Sequence, residues 1–241
     1  MLKKVQISPF EAYSDPWYEA RLGKFTSSRI YTLMGETPNT AGALSYIRQK
    51  VGEELTGEAA DKEIDTDATR WGHFYETEAI RKFAQAMELD FVVVQHLIMD
   101  LKRRCASTPD FLIPLRESPD HTEYEVEPGE VKCPPTYDAY ISLFECDTPQ
   151  QLKKVKKEYY WQTLDQMEEC GATRGHFVIY HPKFKVGNRK NIVFDAMQQI
   201  KTEKRPYWPL KDDLNLLRER KDWAEREFNR IREILMHYPA A

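Results

Sequence analysis

Two short stretches of this chain constrain its fold more than any others. Asp110 opens an apolar segment over residues 111–113, and Glu130-Val131-Lys132 follows after a polar interval. Because successive side chains of a β-strand point to opposite faces, Glu130 and Lys132 would share one face and Val131 would lie on the other. If the two stretches pair as a hairpin, two carboxylates and one ammonium group meet at a single point. Such a group can bind Mg²⁺ together with water and substrate phosphate and can orient or activate an attacking water, so the pattern predicts a metal site for phosphodiester hydrolysis.

Composition narrows the class of protein but not its function. The 241 residues are 41% hydrophobic and 31% charged, which is enough for one domain with a well-buried core. The net charge of −4 argues against a protein that coats nucleic acid through a broad basic surface, but it allows a local basic lining. No apolar run approaches the ~20 residues of a membrane helix, and no apolar segment of a secretory signal follows the N-terminus. We therefore expect a cytoplasmic protein without a membrane segment, with four free, reduced cysteines.

The order of predicted elements indicates the fold class. Helices are predicted from Thr26 to Gly35, Thr40 to Leu55, Ala68 to Met87, Asp138 to Phe144, Thr148 to Cys170 and from Pro209 onwards; strands are predicted over 91–94, 96–99, 104–108, 111–113, 130–132, 177–180 and 192–194. This order predicts an α/β or α+β protein with a mixed central sheet flanked by helices. The connection 114–129 is predicted to be a long acidic loop. With no linker in the chain, we expect a single domain over 1–241, with an N-terminal helical part over about 1–66, a core over about 67–200 and a C-terminal helix over about 209–236.

The third predicted helix carries a further acid. Glu76 lies one turn before Ile80 on the apolar stripe that includes Phe83. Gly72, one turn earlier, would let another backbone approach closely. A glutamate on a core-facing stripe is costly unless it is paired or bound to a metal. Glu76 is therefore a candidate third carboxylate of the site; the alternative is a glutamate at the edge of the stripe that reaches solvent.

Several flanking motifs occur together with these acids. In chain order they are Trp17, Arg21-Leu22-Gly23, Thr26-Ser27-Ser28, Trp71-Gly72-His73-Phe74-Tyr75-Glu76, Cys105-Ala106-Ser107-Thr108-Pro109-Asp110, Glu130-Val131-Lys132-Cys133-Pro134 and Tyr159-Tyr160-Trp161-Gln162. This ordered set resembles lambda-phage exonuclease and related YqaJ-type viral recombination exonucleases, a branch of the PD-(D/E)xK nuclease superfamily. The resemblance implies a restriction-endonuclease-like core.

The same resemblance implies an activity and an assembly. It implies a processive exonuclease that degrades one strand of linear double-stranded DNA in the 5′-to-3′ direction from a 5′-phosphorylated end. The 3′ single-stranded overhangs that remain would serve phage-type recombination. It also implies two Mg²⁺ ions, which Mn²⁺ could replace, a ring-shaped homotrimer, and a single-strand annealing protein as partner.

The resemblance further assigns roles to individual residues. Asp110 and Glu130 would bind the metal with the backbone carbonyl of Val131, Glu76 would complete a two-metal site, and Lys132 would position and deprotonate the water. The residues expected at the terminal 5′-phosphate are Arg21, Ser28, Thr108 and Gln162, which carry donors that suit phosphate recognition.

Other interpretations remain open at this point. The chain departs from the family in having Thr108 where serine is usual and in the length of the predicted loop 114–129. Gln162 could be a solvent-facing amide, and the lysine-rich run 153–157 could be either a solvated helix face or a lining of the DNA path. An endonuclease of the same superfamily and a non-catalytic protein that binds DNA ends are the alternative functions.

Overall fold

A mixed sheet and the helices on its two faces form the protein. A computed structural model describes residues 10, 12–60, 66–100, 102–117, 124–185, 188–197 and 210–238. The strands are β1 (Phe25–Thr26), β2 (Val93–Val94), β3 (Ile98–Asp100), β4 (Cys105–Ser107), β5 (Phe111–Glu117), β6 (Tyr124–Lys132), β7 (Arg174–Tyr180) and β8 (Arg189–Asp195). The helices are α1 (Asp15–Arg21), a 3₁₀ helix (Ser27–Leu33), α2 (Ala41–Thr56), α3 (Asp67–Ala86), α4 (Tyr137–Phe144), α5 (Pro149–Val155), α6 (Lys157–Cys170) and α7 (Leu210–Met236).

The main sheet has five strands in the order β2-β5-β6-β7-β8. Its strands β6 and β7 run parallel, and the other neighbouring strands are antiparallel. Strand β7 shows how the sheet divides the core, because Phe177 and Ile179 pack in the cluster that includes α6 and α7, whereas Val178 and Tyr180 pack with α3. The predicted class, a mixed sheet flanked by helices, is therefore confirmed.

A second, smaller sheet joins the N-terminal segment to the core. Its three strands lie in the order β1-β4-β3, with β1 parallel to β4. Phe25 pairs with Cys105 and Thr26 with Ala106. Since β4 leads directly to Asp110, this pairing places the end of α1 beside the start of β5.

The predicted acidic loop over 114–129 is wrong in extent. Strand β5 continues to residue 117 and β6 begins at residue 124, so most of the interval lies in the hairpin; residues 118–123 lie outside the described part. The reason is an alternation of apolar and polar side chains that is typical of a strand, in spite of the acidic composition. Val126 is buried and Tyr124 packs beside it, while Glu125 lies between them in the sequence. A register shift between Pro114 and Arg116 absorbs the irregularity that proline introduces.

Two predicted helices also differ from the structure. The segment after Thr26 is a 3₁₀ helix without a side-chain cap hydrogen bond. The helix predicted from Thr148 has the expected capping box with Gln151, but Lys156 leaves the helical conformation and separates α5 from α6. The bounds of α2, α3 and α4 agree with the prediction to within one residue. Among the described residues, none of the helices is both long and apolar enough to cross a membrane.

Candidate active site

One cleft of about 500 Å³ contains every residue that was predicted to form the site. The predicted residues that line it are Arg21, Ser28, Glu76, Thr108, Asp110, Glu130, Val131, Lys132 and Gln162. They come from α1, the 3₁₀ helix, α3, the β4–β5 connection, β6 and α6. The fold therefore brings together side chains that are far apart in the sequence.

The hairpin of β5 and β6 places the acids as the alternation predicted. Phe111 pairs with Gly129, which sets Asp110 immediately before the start of β5 and beside Glu130. The N–H of Val131 donates to Asp110 Oδ2 at 2.6 Å. The side chain of Val131 packs toward α3, whereas Lys132 Nζ donates to Glu130 Oε1 on the opposite face.

The carboxylates disfavour one another's charge. Burial, together with the nearby charges of Glu130 and Glu76, raises the pKa of Asp110 well above its usual range. Burial also raises the pKa of Glu76, with a further contribution from Glu130. Burial opposes the charge of Lys132, but Glu130 and Asp110 outweigh it and raise the pKa of Lys132, which keeps this side chain a cation at neutral pH.

Two glutamines of α6 hold Glu130. Gln162 Nε2 donates to Glu130 Oε1 at 2.7 Å, and Gln166 Nε2 donates to Oε2 at 2.5 Å. Glu130 is 1% exposed and Gln166 is fully buried. No role is predicted for Gln166 from the sequence, although its spacing of one helical turn from Gln162 is a signal that could have found it. Gln162 is therefore not a solvent-facing amide. Its side chain donates to Glu130 at the acidic end of the cleft, whereas the resemblance predicts that it contacts the terminal 5′-phosphate.

Glu76 has a partner that the sequence did not suggest. Gln95 Nε2 donates to Glu76 Oε1 at 2.7 Å. Gln95 adopts a left-handed backbone conformation with φ of 51°, which is uncommon for a residue other than glycine. The prediction that another backbone approaches Gly72 closely is wrong. A Cβ at this position, one turn before Glu76, would meet no atom of the described residues within 4 Å, and the residue lines the cleft.

The predicted phosphate pocket is built on Trp17. Thr108 Oγ1 accepts hydrogen bonds from Arg21 Nη1 at 3.1 Å and from Trp17 Nε1 at 3.2 Å. The guanidinium group lies over the Trp17 ring at 4.0 Å from its centroid. Ser28 is exposed at the same cleft. The site thus has a cationic, donor-rich end beside the acidic end.

The turn after α1 fixes the position of Arg21. Gly23 has φ of 67°, and its N–H donates to Glu53 Oε2 at 3.1 Å. Glu53 is 4% exposed and is paired with Lys50 at 2.8 Å. Because a side chain at Gly23 would be strained in this conformation, the glycine and the buried pair together hold the end of α1.

The lysine-rich run 153–157 is divided between two environments. Lys153 pairs with Asp213 of α7 at 2.8 Å and does not line the cleft. Lys154 and Lys157 are exposed. Lys153 therefore contributes to the contact between α5 and α7.

The donor chemistry of the acidic end suits a hard divalent cation. Within the part of the chain that the structure describes, no three His, Cys, Asp or Glu side chains form a complete metal-binding group. The carboxylates of Glu76, Asp110 and Glu130 nevertheless line one cleft. Burial, with the charges of Glu130 and Glu76, raises the pKa of Asp110, and a cation would offset the repulsion among these carboxylates. Oxygen ligands of this kind suit Mg²⁺ or Mn²⁺.

Comparison with known proteins places this chain in a family. The family model described as a YqaJ-like viral recombinase domain matches residues 16–173, more than half of the chain. The chain belongs to this family. The matched part of the YqaJ-like domain includes all the predicted site residues, and the predicted resemblance is confirmed.

Solved structures agree with the YqaJ-like assignment at the level of fold. An alkaline exonuclease, LHK-Exo, from Laribacter hongkongensis is 21% identical, with a TM-score of 0.68 over 92% of this chain and 96% of that chain. The same enzyme in complex with dAMP gives 22% identity and a TM-score of 0.66, with the same coverage. A phage related exonuclease from Haemophilus somnus 129PT is 13% identical, with a TM-score of 0.62 over 88% of this chain and 96% of that chain. The PD-(D/E)xK-like fold predicted for the chain is confirmed, while no curated protein matches it significantly in sequence.

Proposed function

We propose that this YqaJ-like protein is a metal-dependent exonuclease that degrades one strand of linear double-stranded DNA in the 5′-to-3′ direction. The proposed substrate end carries a 5′-phosphate, and the product carries 3′ single-stranded overhangs for phage-type recombination. The observation that carries the proposal is the juxtaposition of two ends of one cleft: the acids with Lys132, and the Arg21–Thr108 pair. The first end suits hydrolysis and the second suits a terminal phosphate.

The acidic end of the cleft would bind the metal. Glu76, Asp110 and Glu130, with the carbonyl of Val131, would hold two Mg²⁺ ions, which Mn²⁺ could replace. When bound, the ions supply electrostatic stabilisation of the charge that develops on the scissile phosphate.

The residues of the chain itself would orient the reacting groups. The amides of Gln162 and Gln166 hold the carboxylate of Glu130. Lys132 Nζ, as an ammonium group, donates a hydrogen bond and offsets negative charge. For Lys132 to accept a proton from water its pKa would have to fall from the raised value, as neutralisation of its acidic neighbours would cause.

The known exonucleases support the choice of substrate. All three of the similar structures are exonucleases, and one of the two LHK-Exo structures holds dAMP, a nucleoside 5′-monophosphate. A mononucleotide is what an exonuclease would release from a 5′-phosphorylated end. The Arg21–Thr108 pair provides the chemistry to hold the phosphate of such a nucleotide.

The test is digestion of an end-labelled linear duplex with Mg²⁺, beside a covalently closed circle. We expect loss of the 5′-labelled strand from linear DNA and an intact circle. Glu130→Gln and Lys132→Ala should each lower the rate by about 100-fold or more. Equal rates in the parent protein and both variants would disprove the assigned site, and cleavage of the circle would favour an endonuclease.

End selection is tested separately. Arg21→Ala should reduce the preference for a 5′-phosphate over a 5′-hydroxyl end, whereas Thr108→Ser keeps the hydroxyl and should preserve it. An unchanged preference in Arg21→Ala would overturn the phosphate pocket. Binding of DNA ends without any metal-dependent turnover would favour the non-catalytic alternative.

The proposal extends to an assembly. By its family resemblance, we propose a homotrimeric ring that encloses the duplex and a single-strand annealing protein that receives the overhang. Light scattering of the purified protein tests the trimer, since a monomeric mass would contradict it.

A further inference from the structure

We infer that Tyr13 and His73 form a stacking platform for the base of the terminal nucleotide, next to the pocket for its 5′-phosphate. This inference rests on the proposed function and adds a subsite to it. Both side chains line the cleft. Tyr13 precedes residues 16–173, so the family match does not include it.

The first argument is the position of Tyr13 relative to the phosphate pocket. Its ring centroid lies 5.2 Å from that of Trp17, and Trp17 is the residue that contacts both Arg21 and Thr108. A base is joined to its own 5′-phosphate through one sugar. A nucleotide whose phosphate lies on Arg21 therefore has its base within reach of the adjacent aromatic ring.

The second argument is the exposure of an aromatic pair at the cleft. Tyr13 is 45% exposed, His73 is exposed, and their ring centroids are 5.8 Å apart with a tilt of 58°. Exposed aromatic side chains are the common surface on which proteins stack the bases of nucleic acids, and such stacking tolerates any base because every base has a π-face.

The third argument is the space between the platform and the acids. His73 and Glu76 lie on one side of α3, and Gly72 before them leaves the cleft open, since a Cβ there would meet nothing within 4 Å. A sugar could occupy this space with the base toward Tyr13 and the 3′-phosphodiester toward Glu76. The geometry thus accommodates one whole nucleotide.

The backbone of Tyr13 is consistent with a functional constraint. Its φ of 67° is in the left-handed region, which is unfavourable for a residue with a bulky side chain. Strained residues of this kind cluster at ligand-binding sites. In this backbone conformation the ring lies at the cleft beside Trp17.

The experiment compares two small ligands that differ only in the base. Isothermal titration measures binding of dAMP and of 2-deoxyribose 5-phosphate, each with the full chain. The parent should bind dAMP about tenfold more tightly, as expected for one stacked base. Tyr13→Ala should lose this ratio and keep its affinity for the sugar phosphate, Tyr13→Phe should keep the ratio, and His73→Ala should reduce it.

A matched control separates stacking from packing around Trp17. Tyr18 also contacts the Trp17 ring, with centroids 4.9 Å apart, but it does not line the cleft. Tyr18→Ala should therefore keep the ratio. An equal ratio in the parent and in Tyr13→Ala, or an equal loss in Tyr18→Ala, would overturn the platform.

The same titrations distinguish failure of this inference from failure of the proposed function. Arg21→Ala should weaken both ligands equally. If the parent binds both ligands with equal affinity, the platform is disproved and the phosphate pocket stands. If the parent binds neither ligand, the phosphate pocket is disproved, and the platform with it.

Discussion

Replacing Glu169 by glutamine should stabilise the protein at about pH 8 and leave its stability near pH 4.5 almost unchanged. Glu169 lies on α6 and is 2% exposed. The fully buried Lys221 of α7 donates to it and, at 2.7 Å, to Asp165. Asp165 also accepts a hydrogen bond from Ser27 at 2.7 Å. One ammonium group cannot neutralise two carboxylates. Glu169 Oε2, moreover, is buried and has no hydrogen-bond partner among the described residues.

The magnitude follows from the pKa of Glu169. Burial, with the charge of Asp165, outweighs the attraction of Lys221 and raises this pKa from an ordinary value of 4.5 to about 7. Between these values the folded protein retains a proton that the unfolded chain has lost, so the contribution of Glu169 to the free energy of unfolding falls as pH rises. At 1.36 kcal/mol per pKa unit, the loss is complete above pH 7 and amounts to about 3 kcal/mol. Glutamine does not ionise, so Glu169→Gln avoids this loss.

The assay is urea unfolding of the parent and of Glu169→Gln at a series of pH values between about 4.5 and 8. The difference in the free energy of unfolding between the two proteins should grow with pH. Lys221→Met is the companion variant with the opposite sign: it leaves two carboxylates buried without their cation and should destabilise the protein by about 3–5 kcal/mol. A difference between the parent and Glu169→Gln that stays constant with pH would refute the reasoning.

Two further predictions concern the site and the sheet beneath it. Gln166→Leu removes the amide that holds Glu130 Oε2 and should raise the Mg²⁺ concentration for half-maximal digestion by about tenfold; an unchanged Mg²⁺ titration curve would contradict a positioning role. Gly129→Ala would place a methyl group in the Phe111 ring and should destabilise the protein by about 3 kcal/mol, measured by urea unfolding. Its matched control is Gly52→Ala in α2, where a Cβ meets nothing within 4 Å and the change should stabilise by about 0.5–1 kcal/mol. Equal stabilities of these two glycine variants would show that the close approach at Gly129 carries no cost.

Local patterns were sufficient to predict α2, α3 and α4 and the pairing of the two strands that carry Asp110 and Glu130. Thr40 and Gly57 cap α2 as their residue types indicate, because caps depend on hydrogen bonds and backbone angles within a few residues. The opposite faces of Glu130 and Val131 follow from the period of a strand. The predicted loop over 114–129 is wrong because the acidic composition of this interval favours a loop, whereas the alternation around Val126 becomes decisive only when the partner strand is known.

The sequence by itself determined which side chains carry the proposed chemistry, from Arg21 to Gln162, because these residues stand in motifs that are recognised from their residue types and their order along the chain. Only the tertiary structure decided what surrounds them. Packing of α6 against the face of β6 places Gln162 and Gln166 on Glu130. The pairing of β1 with β4 brings the end of α1 to Thr108 and sets Tyr13 at the cleft. These contacts join residues far apart in the chain, and they depend on how helices and strands pack, which no local pattern encodes.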